Sequence, residues 1–189
     1  HGKDALATQG NFNNDIGVPL TLLRLQHHHR SAVVELGMNH AGEIAELASL
    51  SMPNVALVNN AQREHLEFMH SVQAVATENG AVLSALPAQG VAVFPADDLY
   101  TTVWRDLAAG KEVISFGRNA KSDVHLLSST WAHQHWQLSV HTPLGPLTTN
   151  LSVAGEHNVH NALAAISCAL AAKVPLNLIE KGLAAFEPV

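Results

Sequence analysis

Residues 55–94 read VALVNNAQREHLEFMHSVQAVATENGAVLSALPAQGVAVF, in which two valine-rich runs enclose a stretch suited to a helix. The runs show little polar alternation, which is typical of strands covered on both faces of a sheet. The same alternation of apolar runs and helical stretches extends from residue 31 to about residue 117. The strand candidates are Ala32–Leu36, Val55–Val58, Val91–Phe94 and Val113–Phe116, and the helix candidates are Gly42–Leu50, Ser71–Leu86 and Asp97–Ala109. This repetition predicts an α/β fold, with a mostly parallel sheet flanked by helices and joined by right-handed crossovers.

The pattern changes after about residue 120. Residues 136–140 and 147–153 alternate apolar and polar side chains, and Pro143-Leu144-Gly145 between them predicts a hairpin turn. Val124–Ser128 is a candidate for a third strand. We therefore expect a small antiparallel sheet within residues 120–154, appended to the parallel one.

Composition limits the class of protein. The chain has 189 residues, 47% of them hydrophobic and 14% charged, which fits one packed domain, alone or with a small subdomain. The net charge is −6 with only 10 Lys and Arg, so we expect no nucleic-acid partner, because such binding needs a basic face. Cys168 is the single cysteine and lies in an apolar helical run, which predicts a buried structural thiol and fits a reducing compartment. No apolar stretch approaches the about 18 residues of a membrane span, and the N-terminus lacks a signal-peptide pattern, so a cytoplasmic location without membrane insertion is expected.

Ionisable side chains follow two of the predicted strands. Glu35 closes the first strand candidate, and His65 follows the second. Ligands of an open parallel sheet bind at the carboxyl ends of its strands, so neighbouring strands would bring the two side chains into one crevice. A carboxylate and an imidazole can bind a divalent cation, although Mg²⁺ prefers oxygen ligands. On spacing alone, a structural histidine and a solvated glutamate remain the simpler interpretation.

Two further segments are rich in amide side chains. TQGNFNNDIGVP (residues 8–19) is either an ordinary turn before a helix or a substrate-binding loop. GEHNVHN (residues 155–161) opens an apolar helix, and a second helix is expected from about Leu176 to Phe186. Asn158 and Asn161 share one side of the first turn of the helix at residue 155. Either Asn158 caps this helix, or the two amides recognise the edge of a nucleobase.

Four stretches, in this order, resemble the Mur ligase family and its MurF type in particular. They are TQGNFNNDIGVPLTLLRL (8–25), AVVELGMNHAGEIAEL (32–47), ALVNNAQREHLEFM (56–69) and LSVAGEHNVHNALAA (151–165). The most specific motifs are GNxNNxxGxP and ELGxNHxGEI. The resemblance implies a P-loop NTPase-like central domain that uses ATP and Mg²⁺. It also implies an ATP-dependent amide ligase that adds D-alanyl-D-alanine to UDP-N-acetylmuramoyl tripeptide through an acyl phosphate, in peptidoglycan precursor synthesis.

The resemblance also implies roles for individual residues. Glu35 and His65 would be the catalytic metal ligands, and Asn158 and Asn161 would bind ATP at its adenine. The implied substrate-binding residues are Asn11, Asn13, Asn14, Asp15 and His40.

The chain departs from the family pattern in three places. It has no glycine-rich loop ending in GK[ST], since Gly2-Lys3 is followed by Asp4, and it stops at residue 189 before the expected C-terminal domain. We therefore expect residues 1–189 to be the central ATP-binding domain without its P-loop segment and without the N- and C-terminal domains, and to be inactive alone. Many relatives also carry a carbamylated lysine in the helix after the His65 segment, where this chain has Asn79. Either Asn79 or Glu78 supports the site, or magnesium binding is weaker.

Two other functions remain open. One is a MurE-type or folylpolyglutamate-type ligase, which the loop at residues 11–19 disfavours. The other is a non-catalytic module that binds a nucleotide or a metal, which the missing phosphate loop favours for these 189 residues.

Overall fold

The computed structural model describes residues 4–62 and 66–187, and this part of the chain forms two sheets with helices around them. The strands are β1 (Ala5–Ala7), β2 (Ser31–Val33), β3 (Val55–Leu57), β4 (Val91–Pro95), β5 (Glu112–Gly117), β6 (Val124–Ala132), β7 (His135–His141) and β8 (Leu147–Leu151). The helices are α1 (Gly17–Leu22), α2 (Glu43–Ser51), α3 (Leu66–Met69), α4 (Val72–Ser84), α5 (Thr101–Leu107), α6 (Glu156–Ala171) and α7 (Leu176–Ala184).

The larger sheet has six strands in the order β3-β4-β5-β6-β7-β8. The pairs from β3 to β6 are parallel, and the pairs β6–β7 and β7–β8 are antiparallel. All five residues of β4 are buried, as expected for a strand covered on both faces. Its side chains alternate between two cores: Ala92 and Phe94 face the core of α2, α4 and α5, while Val91 and Val93 face the core of α6 and α7. The α/β prediction is confirmed.

The antiparallel strands predicted at residues 120–154 are present and continue the larger sheet. β6 joins β5 in parallel through Phe116↔Val124 and Gly117↔His125, and a bulge follows near Leu126. The predicted turn closes between β7 and β8, where the Thr142 hydroxyl donates to the Gly145 carbonyl at 2.6 Å. The antiparallel block is therefore one end of a mixed sheet rather than a separate layer.

The first predicted strand lies elsewhere. β2 pairs in parallel with β1, a strand that the sequence analysis did not predict, and the two form a small sheet of their own. The condition under which Glu35 and His65 would share a crevice, that their strands are neighbours, is not met: in the described chain β2 and β3 are not paired and lie in different sheets. β2 also ends at Val33, because the next residues bond to the loop before α1 instead of to a strand: the Gly37 N–H donates to the Asn13 carbonyl at 2.7 Å.

Among the described residues, no helix has both the length and the apolar character that crossing a bilayer requires.

Candidate active site

The amide-rich loop and the end of β2 meet. The Asn13 side-chain amide donates to Glu35 Oε1 at 2.8 Å, and the Glu35 N–H donates to the Thr8 hydroxyl at 2.9 Å. A Cβ at Gly37 would lie 2.7 Å from the Asn13 side chain, so a larger residue there would displace the Asn13 amide from its present position. Two segments that the sequence singled out separately therefore form one polar surface, in which Glu35 is oriented and keeps its second oxygen free of protein partners in the described chain.

The other residues of this loop have different surroundings. Asn14 Oδ1 accepts the N–H groups of Gly17 at 2.8 Å and Ile16 at 3.3 Å, which stabilises the start of α1. The side chains of Asn11 and Asp15 are exposed. The acceptor of Asn14 is thus used by the fold, whereas Asn11 and Asp15 are free to contact a ligand.

His40 lies just before α2 and is held by Glu43. Its Nδ1 is 3.0 Å from Glu43 Oε1, and its ring centroid is 4.7 Å from that of Phe68. Glu43 Oε2 also accepts the N–H groups of Asn39 at 2.6 Å and His40 at 3.1 Å. These bonds, the Asn39 N–H first among them, lower the pKa of Glu43 below its ordinary value. The His40 ring is therefore fixed at the end of the β2–α2 connection and points away from the core, with its side chain largely exposed.

The structure separates the roles of Glu78 and Asn79. Glu78 is only 8% exposed, and its two oxygens accept the N–H groups of Gly42 at 2.9 Å and Ile44 at 2.8 Å. Its carboxylate thus satisfies the open end of α2 and is not available to a ligand. The Asn79 amide lies 3.5 Å from the Asn60 carbonyl, in the segment after β3. Of the two alternatives, Asn79 is the side chain that reaches the candidate site.

The predicted partner of Glu35 cannot be placed, because His65 lies outside the described residues. Within the described ranges, no group of three or more His, Cys, Asp or Glu side chains is arranged to hold a metal ion. A carboxylate with one free oxygen fits Mg²⁺, which takes one or two protein carboxylates and completes its shell with water and phosphate oxygens. The metal site stays a prediction, with Glu35 as a suitable ligand.

A polar cleft of about 310 Å³ lies where β3 and β4 end and α6 begins. Its lining residues are Asn60, Gln62, Pro95, Asp97, Asp98, His157, His160 and Asn161. Of these, the sequence analysis had assigned only Asn161 to a site. The available signal was position, since Asn60 and Asp97 lie just beyond the ends of β3 and β4.

The cleft is framed by contacts among its own walls. Asp97 Oδ2 accepts the Arg118 N–H at 2.8 Å, and the Arg118 guanidinium pairs with Glu156 at 2.6 Å. These bonds connect the segments after β4 and β5 to the first turn of α6. A broader depression on the open face of β6, β7 and β8 contains only hydroxyl, amide and leucine side chains, so it offers no group for acid–base chemistry.

Asn158 and Asn161 belong to one chain of hydrogen bonds, named here the amide relay. The Asn59 amide donates to Asn161 Oδ1 at 2.9 Å, Asn161 donates to Asn158 Oδ1 at 3.2 Å, and Asn158 donates to the Ala154 carbonyl at 2.8 Å. Helix α6 begins after Gly155, and no side chain caps it. Capping by Asn158 is therefore wrong. Of the two amides, Asn161 lines the cleft and Asn158 is bonded to it, and their recognition of a nucleobase stays a prediction.

Cys168 lies in α6 and packs against the second core, where it is partly buried rather than fully buried. Burial raises the pKa of its thiol to about 12, so the thiolate needed for chemistry is scarce at neutral pH.

Comparison with known proteins shows which family the chain belongs to. A family model described as the Mur ligase middle domain matches residues 2–169. The UDP-N-acetylmuramoyl-tripeptide–D-alanyl-D-alanine ligase of Escherichia coli (strain K12) is 39% identical over 187 residues, which cover 98% of this chain and 41% of that ligase.

Solved structures give the same result. A crystal structure of MurF from Acinetobacter baumannii superposes with a TM-score of 0.94 at 37% identity, covering 98% of this chain and 40% of that one. MurF from Thermotoga maritima in complex with ADP has a TM-score of 0.86 and covers all of this chain and 43% of its own, and at 20% identity it shows the fold alone. The chain thus spans about two fifths of the length of these relatives. With 168 of its 189 residues, from 2 to 169, matched by the family model, the chain belongs to the Mur ligase family and contains its middle domain.

Proposed function

We propose that the protein containing this domain is an ATP-dependent amide ligase that joins D-alanyl-D-alanine to UDP-N-acetylmuramoyl tripeptide. The contact of Asn13 with Glu35 carries the proposal, because it unites the two motifs most specific to the resemblance in one surface. The names of the relatives support this substrate pair over a diamino acid or glutamate as the amine. Residues 1–189 would be the central domain, and a cytoplasmic location is still a prediction from cysteine usage.

In this proposal the chain contributes mainly binding and orientation. Glu35, held through one oxygen, would present the other to Mg²⁺ near the carboxylate that becomes phosphorylated, with His65 as the expected second ligand. A bound Mg²⁺ supplies charge stabilisation for the phosphoryl group as it transfers. Asn13 fixes the direction of the Glu35 carboxylate, and Asn11, Asp15 and His40 would face the UDP-muramoyl peptide.

The nucleotide would lie in the cleft between β3, β4 and α6. Asn158 and Asn161 would face the adenine, since an asparagine amide matches the paired donor and acceptor of an adenine edge. Asp97 and Asp98 add negative charge to this wall, so the triphosphate is expected to extend away from them, towards the segments after β2 and β3. Residues 1–189 alone are expected to bind ATP weakly and to remain inactive without a phosphate-cradling loop.

The experiment is phosphate release from the longest native form of the protein, with UDP-N-acetylmuramoyl tripeptide as acceptor. D-alanyl-D-alanine, free D-alanine and a diamino acid are compared as amines. The proposal expects release that requires D-alanyl-D-alanine and a loss of at least about 100-fold in kcat for Glu35→Gln. The matched control is Glu46→Gln, an exposed carboxylate on α2, which should leave kcat unchanged. Release with another amine would favour a different Mur-type ligase, and no release with any amine would favour a non-catalytic binding module.

A further inference from the structure

Asn59 connects the end of β3 to helix α6 through both its backbone and its side chain. Its carbonyl is 3.2 Å from His160 Nε2, and its amide donates to Asn161 Oδ1 at 2.9 Å, contacts that bridge 101 and 102 positions of sequence. The His160 ring packs against the buried Phe116 ring at a centroid distance of 5.0 Å. Asn59 is therefore held in a defined place beside the cleft.

The direction of the amide relay is fixed at its far end. The Ala154 carbonyl can only accept a hydrogen bond, so Asn158 must turn its NH₂ group towards it and its Oδ1 towards Asn161. Asn161 must then donate to Asn158, which leaves its own oxygen facing Asn59. The relay consequently needs a donor at position 59.

This donor is present at a cost. Asn59 Oδ1 is buried and has no hydrogen-bond partner among the described residues. An unpaired buried carbonyl destabilises the fold, because it has lost its hydrogen bonds to water without gaining a partner. The feature that offsets this cost is the N–H that Asn59 supplies to Asn161.

We infer that Asn59 is a positioning residue that selects adenine over other purines by setting the orientation of the Asn161 amide. The inference rests on the proposed function, in which Asn158 and Asn161 face the base. After its two relay bonds, Asn161 keeps one N–H and one acceptor position, a pair that matches the adenine amino group and N7. Hypoxanthine carries an oxygen in place of the amino group, so it presents two acceptors at that edge and matches only one of these groups.

Three variants separate this role from a structural one. Asn59→Asp keeps the shape but removes the donor, so its carboxylate repels Asn161 Oδ1 while Asn158 still requires the Asn161 NH₂ group, and the Asn161 amide is driven out of the orientation that matches adenine. Asn59→Ala removes the contact without adding this repulsion. Asn177→Asp is the matched control, since Asn177 is exposed on α7 and the substitution adds the same charge away from the relay.

The dissociation constants of ATP and inosine triphosphate are measured by calorimetry on the longest native form of the protein and its variants. KM and kcat are measured as well where turnover occurs. We expect the native protein to prefer ATP. Asn59→Asp should weaken ATP binding about tenfold or more while inosine triphosphate changes less than about threefold, with kcat at saturating ATP retained. The ATP affinity of Asn59→Ala should lie between those of the native protein and Asn59→Asp. Asn177→Asp should bind both nucleotides as the native protein does.

Other outcomes overturn the inference. Equal affinity of the native protein for the two nucleotides, or an Asn59→Asp variant that loses both equally, would mean that position 59 does not set base preference. A thermal-unfolding scan of each variant shows whether it is folded, and Asn59→Ala supplies the test if Asn59→Asp is not. If Asn59→Asp shifts the preference for ATP over inosine triphosphate but the native protein ligates no amine, the inference stands and the proposed function is refuted. If the native protein ligates D-alanyl-D-alanine but Asn59→Asp leaves the preference unchanged, the proposed function stands and the inference is refuted.

Discussion

Replacing Glu78 with alanine should destabilise the protein far more than its single negative charge suggests. The carboxylate accepts two backbone N–H groups at the start of α2, at 2.9 Å and 2.8 Å, and is 8% exposed. Hydrogen bonds to a charged group contribute about 1.5–3 kcal/mol each. Gly42 is exposed, so water can replace part of the lost interaction. We therefore expect the free energy of unfolding to fall by about 3 kcal/mol, near the lower end of the sum.

The assay is urea unfolding followed by circular dichroism, with a thermal scan beside it. For a chain of this size, about 3 kcal/mol corresponds to a fall in Tm of roughly 6–12 °C. Glu46→Ala is the matched control, because Glu46 is exposed on the same helix, and it should change the free energy of unfolding by no more than about 0.5 kcal/mol. A Glu78→Ala variant within about 1 kcal/mol of the native protein would refute the role of Glu78 in holding α2. If Glu78→Ala left stability intact but abolished magnesium-dependent activity, Glu78 would instead belong to the metal site.

Three further predictions concern other parts of the molecule. The Cys168 thiol, with its pKa raised to about 12 by burial, should react with Ellman's reagent at pH 8 much more slowly in the folded protein than in the urea-unfolded protein, and equal rates would contradict this. The Asn39 N–H and its neighbour depress the pKa of Glu43, so the stabilisation that Glu43 provides should be present above the ordinary carboxyl pKa and lost as the pH falls through the lower folded pKa. The urea midpoints of the native protein and Glu43→Gln should therefore converge as the pH falls below the ordinary carboxyl pKa. His133 and Gln134 form the two-residue turn between β6 and β7, with φ of 51° and 64°. Because Asn and Gly adopt positive φ at less cost, the double variant His133→Asn with Gln134→Gly should raise the free energy of unfolding by about 1 kcal/mol. A loss of stability would argue against this turn geometry.

Local pattern predicted much of the scaffold. The apolar face of α6, formed by Val159, Leu163, Ile166 and Leu170, is buried as its spacing requires. The uninterrupted apolar run of β4 and the alternation in β7 and β8 likewise became a central strand and an antiparallel pair. These predictions held because the period of apolar residues records which side of an element is covered, and that information is local.

The same reasoning failed where two segments had to be paired. Residues 32–36 have the valine-rich composition of a central strand, yet β2 pairs with β1 in the small sheet. Composition states that a strand is suited to burial but does not state which strand lies beside it. The sequence likewise indicated that the antiparallel block is appended to the parallel sheet, but not that β5 and β6 are the strands that join them.

For the candidate site, the sequence by itself determined the chemical inventory: a carboxylate after one strand, amide-rich loops, and two asparagines on one turn of a helix. Only the tertiary structure decided how this inventory is used. It brought Asn13 to Glu35, and it committed Glu78 to the end of α2 rather than to a ligand. It also aligned Asn59 with Asn161 across 102 positions of sequence. Residue type and spacing record what a side chain can donate or accept, whereas the convergence of distant loops depends on strand pairing and packing, which short-range periodicity does not encode.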